Sequence, residues 1–438
     1  MVKEMRQIAS WGGLSVKNPR LLAPDRYLTS EIRSEGALPF GNGRSYGDSC
    51  LNAAGSAITS QSANRILSFD KSSGLLEAEA GILLSDIIAA VAPHGWFPVV
   101  VPGTQFVTLG GAIANDIHGK NHHRRGTFGC HVVDLLLERS DQGPVLLNPT
   151  EESGLFDATI GGMGLTGLIR KATIQLMKVG SSSINQVTTR FESLEAYFEL
   201  VDDADAQHEY AVAWIDSLVK GRHFGRGHLI AGDHAAEGEH PQRKPVPRLS
   251  IPLTPPISPL QGPFLKLFNE SYFRSAPVGR SEQLVAFDKF FFPLDRVGRW
   301  NRLYGPRGLH QHQSAIPPDN AFEVIKSLLE CTQRNHHGSF LTVLKRFGSL
   351  PSPGILSFPR PGFTLTLDFP DKGSVTHRLL EQLDAITIQS GGAVNPYKDR
   401  RMSSVTFRAS FPSWQEIEKL RDPALMSDFW RRTVLDGS

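Results

Sequence analysis

Residues 102–129 constrain the fold of this chain more than any other stretch. They read PGTQFVTLGGAIANDIHGKNHHRRGTFG, so glycines recur beside a short apolar turn and a run of ionisable side chains. Glycine lets backbone N–H groups approach a flat or anionic ligand without a steric cost. We therefore expect this segment to form a ligand-binding loop. The polar side chains expected to face that ligand are Asp116, His118, Lys120, Asn121, His122 and His123.

The composition is that of a globular protein large enough for two or three domains. The chain has 438 residues, of which 40% are hydrophobic and 21% charged, and its net charge of +2 argues against a dedicated nucleic-acid-binding protein. Its three cysteines are widely spaced and form no CxxC pair, which fits a reducing compartment. No apolar run reaches the roughly 18 residues of a membrane span, and the N-terminus lacks a signal-peptide core. We expect a soluble protein or one that lies on a membrane surface.

The order of apolar and polar residues predicts the elements in outline. Two hairpins are expected, one joining residues 65–69 to 75–80 and one joining residues 132–138 to 145–147. A first helix is expected to begin at Ser85, a residue type that often caps helices. Further helices are expected at residues 109–115, 192–203, 322–334 and 413–421. Further strands are expected at residues 168–177, 286–293, 310–316, 339–347 and 363–369.

One expected strand, residues 363–369, has a polar face. Thr364, Thr366 and Asp368 alternate with apolar residues, so all three are expected on the same side of the sheet. Such a face can line a binding site.

A lysine interrupts the apolar row of another expected strand, residues 339–347. Burying an unpaired ammonium is costly, so Lys345 needs either a buried partner or an edge position from which to reach solvent. Lys398 follows a turn and is open to the same two interpretations.

Two further glycine-rich loops stand beside apolar stretches. Residues 41–52 read GNGRSYGDSCLN and would suit either a diphosphate cradle or a tight surface turn; with the loop at 102–129, binding is favoured. Residues 162–167 match GxGxxG, but a strand-like run follows them and residues 181–190 contain no carboxylate. A nicotinamide-binding fold is therefore rejected, while a loop that packs against a cofactor stays open.

Metal and hydrolytic chemistry find no support in the sequence. Gly119 interrupts the helical spacing of His118 and His122, and no carboxylate pair or CxxC completes a ligand set with His123, Cys130 or His131, so no metal is expected. The chain also lacks the GxSxG nucleophile elbow of many hydrolases.

Residues 241–264 carry eight prolines among basic and apolar residues. Prolines at this density prevent regular structure, so a mobile loop is expected.

Three segments resemble the FAD-binding segments of flavoenzymes of the vanillyl-alcohol-oxidase type, and in particular those of the decaprenylphosphoryl-β-D-ribose 2′-oxidase family. They are residues 41–48, 108–123 and 161–167. The similarity covers nearly the whole chain. It continues through FFPLD at 291–295, WNRLYG at 300–305, QHQ at 311–313, LKRFG at 344–348 and YKDRR at 397–401.

The resemblance implies an α+β fold. A PCMH-type FAD-binding domain with two subdomains would occupy residues 1–178. A substrate domain built on an antiparallel sheet would occupy residues 179–438 and include the mobile loop at 241–264. The C-terminal segment 391–438 would pack back toward the flavin.

The resemblance also implies bound FAD. Relatives with covalent flavin place a histidine in the first loop, where this chain has Arg44 and Tyr46, so the FAD is expected to be non-covalent. The residues implied to hold it are Gly41, Asn42, Gly43, Arg44, Ser45, Tyr46, Gly103, Thr104, Thr108, Gly110, Gly111, Ala114, Asn115, Ile117, His118, Gly119, Asn121, Gly164 and Gly167.

The implied reaction is oxidation of a secondary sugar hydroxyl to a ketone by hydride transfer to flavin N5. The foremost substrate is the 2′-OH of polyprenylphosphoryl-β-D-ribose, in the first half of a 2′-epimerisation for cell-envelope arabinose, which a ketosugar reductase partner would complete. An alditol or aldonolactone oxidase and a non-catalytic flavin-binding protein are the alternatives. The implied catalytic residues are Lys398, His118 and Tyr304. The implied substrate-binding residues are Lys120, Gln311, Gln313, Lys345, Phe347, Thr364, Thr366 and Asp368.

The chain departs from the family at two of these positions. Mycobacterial members carry Asn and Cys where this sequence has Thr364 and Thr366. Hydride transfer needs no thiol, so activity is expected to survive the change, while covalent inhibitors that attack the thiol are expected to fail.

A lipid phosphate substrate would also explain the basic and apolar residues of 241–275. Lys244, Arg248 and Arg274 would meet anionic head groups. The side chains expected near the lipid tail are Ile251, Leu253, Ile257 and Phe264. An ordinary disordered loop is the alternative, and the expected location is the cytoplasm or the inner face of the membrane.

Overall fold

The computed structural model describes residues 7–24, 36–150, 154–238 and 249–436. In its N-terminal part the strands are β1 (Gln7–Ala9), β2 (Ser15–Lys17), β3 (Arg20–Leu22), β4 (Ala37–Phe40), β5 (Ser56–Thr59), β6 (Ile66–Phe69), β7 (Leu75–Glu79), β8 (Trp96–Pro98), β9 (Val132–Arg139), β10 (Gly143–Leu147) and β11 (Leu168–Lys178). The helices are α1 (Leu84–Val91), α2 (Leu109–Ala114), α3 (His122–Arg125) and α4 (Leu155–Thr159).

These strands form two main sheets. Strands β3, β5 and β4 make a small parallel sheet, while β10, β9, β11, β7 and β6 lie side by side in an antiparallel sheet, with β8 on the end of β11. Helices α1 and α2 bury Leu84, Ile87 and Ile113 in one core with the antiparallel sheet. The glycine-rich segments lie where these layers meet.

The C-terminal part contains a larger antiparallel sheet and a separate parallel pair, β15 with β17. The strands of this part are β12 (Ser183–Phe191), β13 (Tyr210–Ile215), β14 (Gly227–His234), β15 (Leu249–Ser250), β16 (Arg280–Ala286), β17 (Val297–Gly298), β18 (Leu309–Ile316), β19 (Val343–Phe347), β20 (Gly362–Pro370) and β21 (Ala393–Val394). Its helices are α5 (Leu194–Gln207), α6 (Gly262–Ser275), α7 (Phe287–Phe291), α8 (Ala321–Arg334), α9 (Ser374–Gln389), α10 (Ser404–Ser410), α11 (Trp414–Leu420) and α12 (Asp428–Trp430).

The large sheet positions the candidate site. Its strand order is β16-β12-β14-β13-β19-β20-β18-β21. Phe363, Leu365 and Leu367 of β20 pack with α5, α8 and α9 in one apolar core, so the alternate residues of β20 face the opposite side. The period-two pattern of this strand is confirmed.

Most of the predicted elements are confirmed, and with them the α+β fold. Both hairpins are antiparallel as expected. The first helix begins at Leu84, one residue before the prediction, because Leu83 rather than Ser85 occupies the cap position.

Two local predictions are wrong. Residues 286–293 are not a strand, because β16 ends at Ala286 and Phe287–Phe291 form α7, whose phenylalanines pack into an apolar cluster. Tertiary packing here overrides the strand preference of aromatic residues. The expectation of no regular structure in 241–264 also fails in part, because β15 pairs with β17 and α6 begins at Gly262. Residues 241–248 lie outside the described residues, so the expected mobility of that part is untested.

The end of the chain returns to its beginning. The backbone N–H of Tyr46 donates to the carbonyl of Tyr397, and the N–H of Ala37 donates to Ala424. These contacts favour the predicted return of 391–438. The division at residue 178 stays a prediction, although the sheets change between β11 and β12. No described helix is both long and apolar enough to cross a membrane.

Candidate functional site

The first glycine-rich loop lies directly against the second. A Cβ at Gly41 would stand 2.5 Å from Thr108 Oγ1, so only glycine permits this approach. Thr108 in turn caps α2 by accepting a hydrogen bond from Gly111 N at 3.1 Å, and the Asn42 amide donates to the carbonyl of Phe106 at 2.7 Å. The two loops therefore form one surface.

A cavity of about 100 Å³ opens between these loops and the third glycine-rich segment. Met163 and Gly164 hold its rim in the left-handed region, at φ values of 57° and 72°. The predicted cofactor residues that line the cavity are Gly41, Asn42, Gly43, Arg44, Ser45, Thr108, Gly110, Gly111, Ala114, Asn115, Gly164 and Gly167.

Arg44 gives this cavity an unsatisfied cationic group. Its guanidinium stacks on Trp11 at 4.4 Å, and its Nε is buried without a hydrogen-bond partner among the described residues. Burial lowers the pKa of Arg44, which the charge of Asp295 opposes. Glycine-lined backbone beside an unsatisfied guanidinium suits a diphosphate, so these residues fit FAD.

A second cavity, of about 840 Å³, extends over the large sheet. Gly103, His118 and Gly119 of the 102–129 segment form one wall. Lys120 and Lys345 also line it, whereas most of the remaining wall is apolar. The aromatic lining residues are Trp214, Phe268, Tyr272, Phe290, Phe291 and Phe340.

Buried polar side chains follow β18 and β20 in register. Gln311 is paired with Asp368 and donates to its Oδ1 at 2.5 Å, while Tyr304 donates to Oδ2 at 3.3 Å.

A second set of polar contacts lies two residues along β18. The Gln313 amide stands 3.1 Å from His118 Nε2 and from Thr364 Oγ1, and Asn395 donates to Gln313 Oε1 at 2.9 Å. This polar face therefore reaches the 102–129 segment through His118.

Three lysines with perturbed pKa values stand near this face. Burial lowers the pKa of Lys120 and of Lys345 to about 7. The positive charge of Lys345 lowers the pKa of Lys120 further, and the positive charge of Lys398 does the same to Lys345. Burial lowers the pKa of Lys398 to about 8 against the opposing charge of Asp368.

Asp368 is the one carboxylate, among the described residues, whose charge acts on a lysine of this set, namely Lys398. Burial raises its pKa to about 7, against hydrogen bonds from Gln311 and Tyr304. Burial also lowers the pKa of His118, as do the charges of Lys345, His122 and Lys398. Three lysines and a single carboxylate leave an excess of positive charge.

The open alternatives for the two later lysines are resolved by position. Lys345 lies on β19, between β13 and β20, and so not at a sheet edge. The Lys398 ammonium lies over the ring of Tyr46 at 4.3 Å, which makes it part of the site rather than a surface cation.

Not every polar residue of the 102–129 segment faces a cavity. Asp116 accepts from Gly129 N and from the hydroxyl of Ser352, and the remaining three contact protein too. Asn121 donates to Val99 O, His122 accepts from Gly348 N, and His123 lies against His208 O. These four side chains are thus occupied by protein partners, whereas His118 and Lys120 line the larger cavity.

Several predicted residues line neither cavity. The ring of Phe347 packs against the rings of His118 and His122, with its centre 5.0 Å and 4.5 Å from theirs. Tyr304 and Tyr46 adjoin the polar face instead. The other predicted residues that line neither cavity are Thr104, Ile117, Asn121, Gln311, Gln313, Thr364, Thr366, Asp368 and Lys398. Gln311, Gln313, Thr364 and Asp368 belong to the polar face that adjoins the larger cavity at His118.

The sequence reasoning missed Asn395 and the aromatic wall. Asn395 stands three residues before Lys398 and two before the YKDRR motif at 397–401, so its amide was a detectable signal. Trp214 and Phe290 carried no signal, because aromatic residues in strands and helices usually belong to a core, whereas Phe291 begins the FFPLD motif at 291–295.

Comparison with known proteins gives first the class. A family model described as an FAD binding domain matches residues 33–141, which include two of the three glycine-rich segments. The chain is thus a flavoprotein, and FAD is its cofactor.

Relatives then give the family. The chain is 36% identical over 440 residues to decaprenylphosphoryl-beta-D-ribose oxidase of Mycolicibacterium smegmatis, covering 96% of this chain and 94% of the relative. It is 32% identical to an uncharacterized protein in the mprA 5′ region of Streptomyces coelicolor, over 81% of this chain and all of that one. It is 30% identical to mouse L-gulonolactone oxidase over 26% of this chain and 25% of the relative.

The chain belongs to the decaprenylphosphoryl-β-D-ribose oxidase family. It is accordingly an FAD-dependent oxidoreductase, as the family resemblance implied.

Proposed function

We propose that this enzyme oxidises the 2′-hydroxyl of a polyprenylphosphoryl-β-D-ribose to a ketone. The observation that carries the proposal is the group formed by Lys120, Lys345 and Lys398, which adjoins an apolar cavity beside the flavin-binding loops. A substrate with an anionic group and a long apolar tail matches both properties.

The excess positive charge favours a phosphate. The charge of Lys345 lowers the pKa of Lys120, and the charge of Lys398 lowers that of Lys345, so the three repel one another in the absence of an anion. A phosphate that enters this group would relieve that repulsion and gain charge-assisted hydrogen bonds. A neutral alditol would do neither.

The apolar wall favours a lipid tail. The cavity of about 840 Å³ exceeds what a ribose phosphate needs, and its far side is lined by Phe268 and Tyr272 of α6. Apolar area removed from water there contributes about 25 cal/mol per Å².

The residues of the polar face would prepare the hydroxyl for oxidation. The residues of the glycine-lined cavity would hold FAD, which would supply the hydride acceptor. We assign acceptance of the hydroxyl proton to Asp368, because its pKa of about 7 is matched to a general base, whereas the pKa of His118 is held far lower. Tyr304 and Gln311 hold the Asp368 carboxyl in place, and Lys398 supplies positive charge for the developing anion.

The test is a spectroscopic titration without oxygen. The purified FAD-loaded protein is mixed with polyprenylphosphoryl ribose, and the visible flavin absorbance is followed. Bleaching is expected for the wild type. The K398M variant is expected to retain FAD and bleach about 100- to 1,000-fold more slowly, while K71M, at an exposed turn, serves as the control.

Other outcomes would redirect the proposal. A flavin that stays oxidised with the lipid but bleaches with an alditol or a lactone would identify an alditol or aldonolactone oxidase. A flavin that no sugar bleaches would identify a non-catalytic flavin-binding protein. Covalent attachment is tested on the same sample, since acid denaturation is expected to release all the FAD.

We also propose contact with an anionic membrane. Leu253 and Ile257 are 78% and 73% exposed, and Phe264 and Leu267 at the start of α6 are 72% and 66% exposed. Lys244 and Arg248, expected to meet head groups, lie outside the described residues, and Arg274 pairs with Glu270. The exposed apolar group therefore carries this part of the proposal.

Vesicle sedimentation tests the membrane contact. The double variant L253D/L267D is expected to lose binding to anionic vesicles, whereas L146D, which changes a leucine 61% exposed on β10, is expected to keep it. Equal binding by all three proteins would refute the contact. A ketosugar reductase that consumes the product would complete the epimerisation; we expect arabinose-form lipid only when such a reductase is added.

A further inference from the structure

A second cluster of ligating side chains lies on the far side of β18 and β20 from the polar face. His310 is on β18, Asp371 follows β20 directly, and His377 is in the first turn of α9. One nitrogen from each imidazole and one oxygen from the carboxylate all lie within 4.8 Å of one another. Two imidazoles and one carboxylate form a ligand set that suits zinc and neighbouring divalent ions.

The separations agree with tetrahedral coordination. Ligand bonds of about 2.0–2.1 Å place neighbouring ligand atoms ~3.3 Å apart around a tetrahedral ion. His310 Nε2 and Asp371 Oδ2 stand 3.3 Å apart already. The side chain of His377 is exposed, so it can move closer to His310 and Asp371 until its nitrogen reaches the ion. The fourth coordination position of the ion would face solvent.

Two of the ligand atoms already face each other in the folded chain. His310 is 3% exposed, and its Nε2 interacts with Asp371 Oδ2 at 3.3 Å. Asp371 uses its other oxygen, Oδ1, to accept from Gly373 N at 2.8 Å. An ion would replace the contact between His310 and Asp371 by a bond to each of them, so its binding has to exceed the cost of losing that contact.

One neighbouring charge opposes a cation. Arg400 Nη2 lies 3.8 Å from Asp371 Oδ2. Its Nη1 is held by the carbonyl oxygens of Gly12 and Arg307, so the guanidinium stays at the rim. A site with this neighbour binds more weakly than one rich in carboxylates, but the three ligand atoms lie within 4.8 Å of one another, and His310 and Asp371 are already 3.3 Å apart.

We propose that His310, Asp371 and His377 bind a divalent transition-metal ion, with zinc as the probe ion, outside the flavin and substrate sites. The ion would join the start of β18 to the end of β20 and to α9. Gln311 follows His310 directly on β18 and pairs with Asp368, which stands three residues before Asp371. The ion would therefore stabilise the strands that carry the polar face.

The test uses the FAD-loaded protein after chelator treatment, with Zn²⁺ added alone and binding followed by competition with a coloured chelator. We compare the wild type with H377A, which changes an exposed side chain, and with H336A, which changes an exposed histidine outside the cluster. We expect one ion more per chain in the wild type and in H336A than in H377A. The affinity of that site should fall by more than about 100-fold in H377A, since changes around metal ligands alone cost 10- to 100-fold.

Thermal unfolding provides the second readout. At Zn²⁺ about 100-fold above the dissociation constant, the midpoint of the wild type is expected to rise by roughly 3–6 °C, and that of H377A to stay unchanged. Without Zn²⁺ the two midpoints should agree, which shows that H377A folds. Equal Zn²⁺ binding by the wild type and H377A, or no binding at micromolar concentrations, would overturn the proposal.

Discussion

At the scale of single residues, Asp368 is the group whose environment most determines the chemistry. It is fully buried, it holds two hydrogen bonds, and it is the carboxylate beside the lysines. A carboxyl with a pKa near 7 changes its protonation within the range in which an enzyme works. The site thus separates an acceptor for protons from a group that supplies positive charge.

The first prediction concerns the pH dependence of kcat/KM. The rate constant should rise with pH up to about 7 as Asp368 loses its proton, and fall above about 8 as Lys398 loses its charge. D368N should lose the acidic limb and most of the rate, whereas D203N, which changes an exposed carboxylate on α5, should keep both limbs. The measurement is the rate of anaerobic flavin reduction from pH 5 to 10 in the wild type and both variants. If the acidic limb persists in D368N, Asp368 is not the base.

The second prediction concerns the stability cost of Lys345. Its pKa is about 7 in the folded protein and 10.5 in the unfolded chain, so between these values the unfolded chain binds more protons. The free energy of unfolding that Lys345 contributes therefore rises with pH across that window, and its cost is largest below pH 7. K345M should unfold at a higher temperature than the wild type at pH 6, and the difference should shrink toward pH 10.

A matched variant separates this effect from a general loss of charge. K71M removes an exposed lysine, so its unfolding temperature should follow that of the wild type at every pH. K345M should also raise the KM for the phosphorylated lipid. A difference between K345M and the wild type that is constant with pH would contradict the explanation.

At the scale of elements, the loop after β4 is fixed by the segment that follows β21. A Cβ at Gly47 would stand 1.6 Å from the carbonyl oxygen of Asp399, so these two backbones touch. The flavin loop and the segment that carries Lys398 therefore have to move together.

The third prediction follows from that contact. G47A should lower the free energy of unfolding by about 1–3 kcal/mol or more, the usual cost of overpacking, and should release FAD more readily. G143A is the control, since nothing lies within 4 Å of its added methyl group and only the positive φ is disfavoured, at about 1 kcal/mol. Denaturant unfolding and the flavin content after gel filtration measure both effects; equal losses in the two variants would contradict the close contact.

The elements also show how far the sequence alone reaches. Local patterns were enough to predict both hairpins, α8 and β20, because the apolar residues of each element recur at the spacing of a helix or a strand. They failed at Phe287–Phe291, where the phenylalanines are placed by contacts with β8 and β14 that no local window contains. In the site, the glycines, His118 and Lys120 were predictable, whereas Asp116 was not, because its partners Ser352 and Ser357 are more than 230 residues away.

At the scale of the whole molecule, an ion pair joins the two ends of the described chain. Arg432 donates to both carboxylate oxygens of Asp48, at 2.6 and 2.9 Å, and Asp48 is buried beside the flavin loop. Removing one partner of a buried pair leaves the other charge uncompensated, which costs about 3–5 kcal/mol.

The fourth prediction uses this pair. R432M should lower the unfolding temperature and the retained FAD together. R65M removes an arginine that pairs with Glu79 but is 75% exposed, so it should cost less than about 1 kcal/mol and retain FAD. Thermal unfolding of the two variants is the measurement, and equal losses would show that the contact between the chain ends does not support the flavin loop.

The return of the C-terminal segment also fixes when this protein can mature. Asp48, beside the loop at 41–47, leaves the ribosome 384 residues before Arg432, which binds it. A nascent chain thus carries an unfinished cofactor site throughout its synthesis. FAD is therefore expected to bind stably only once the segment from Tyr397 to Arg432 has been synthesised and has folded back onto the loop.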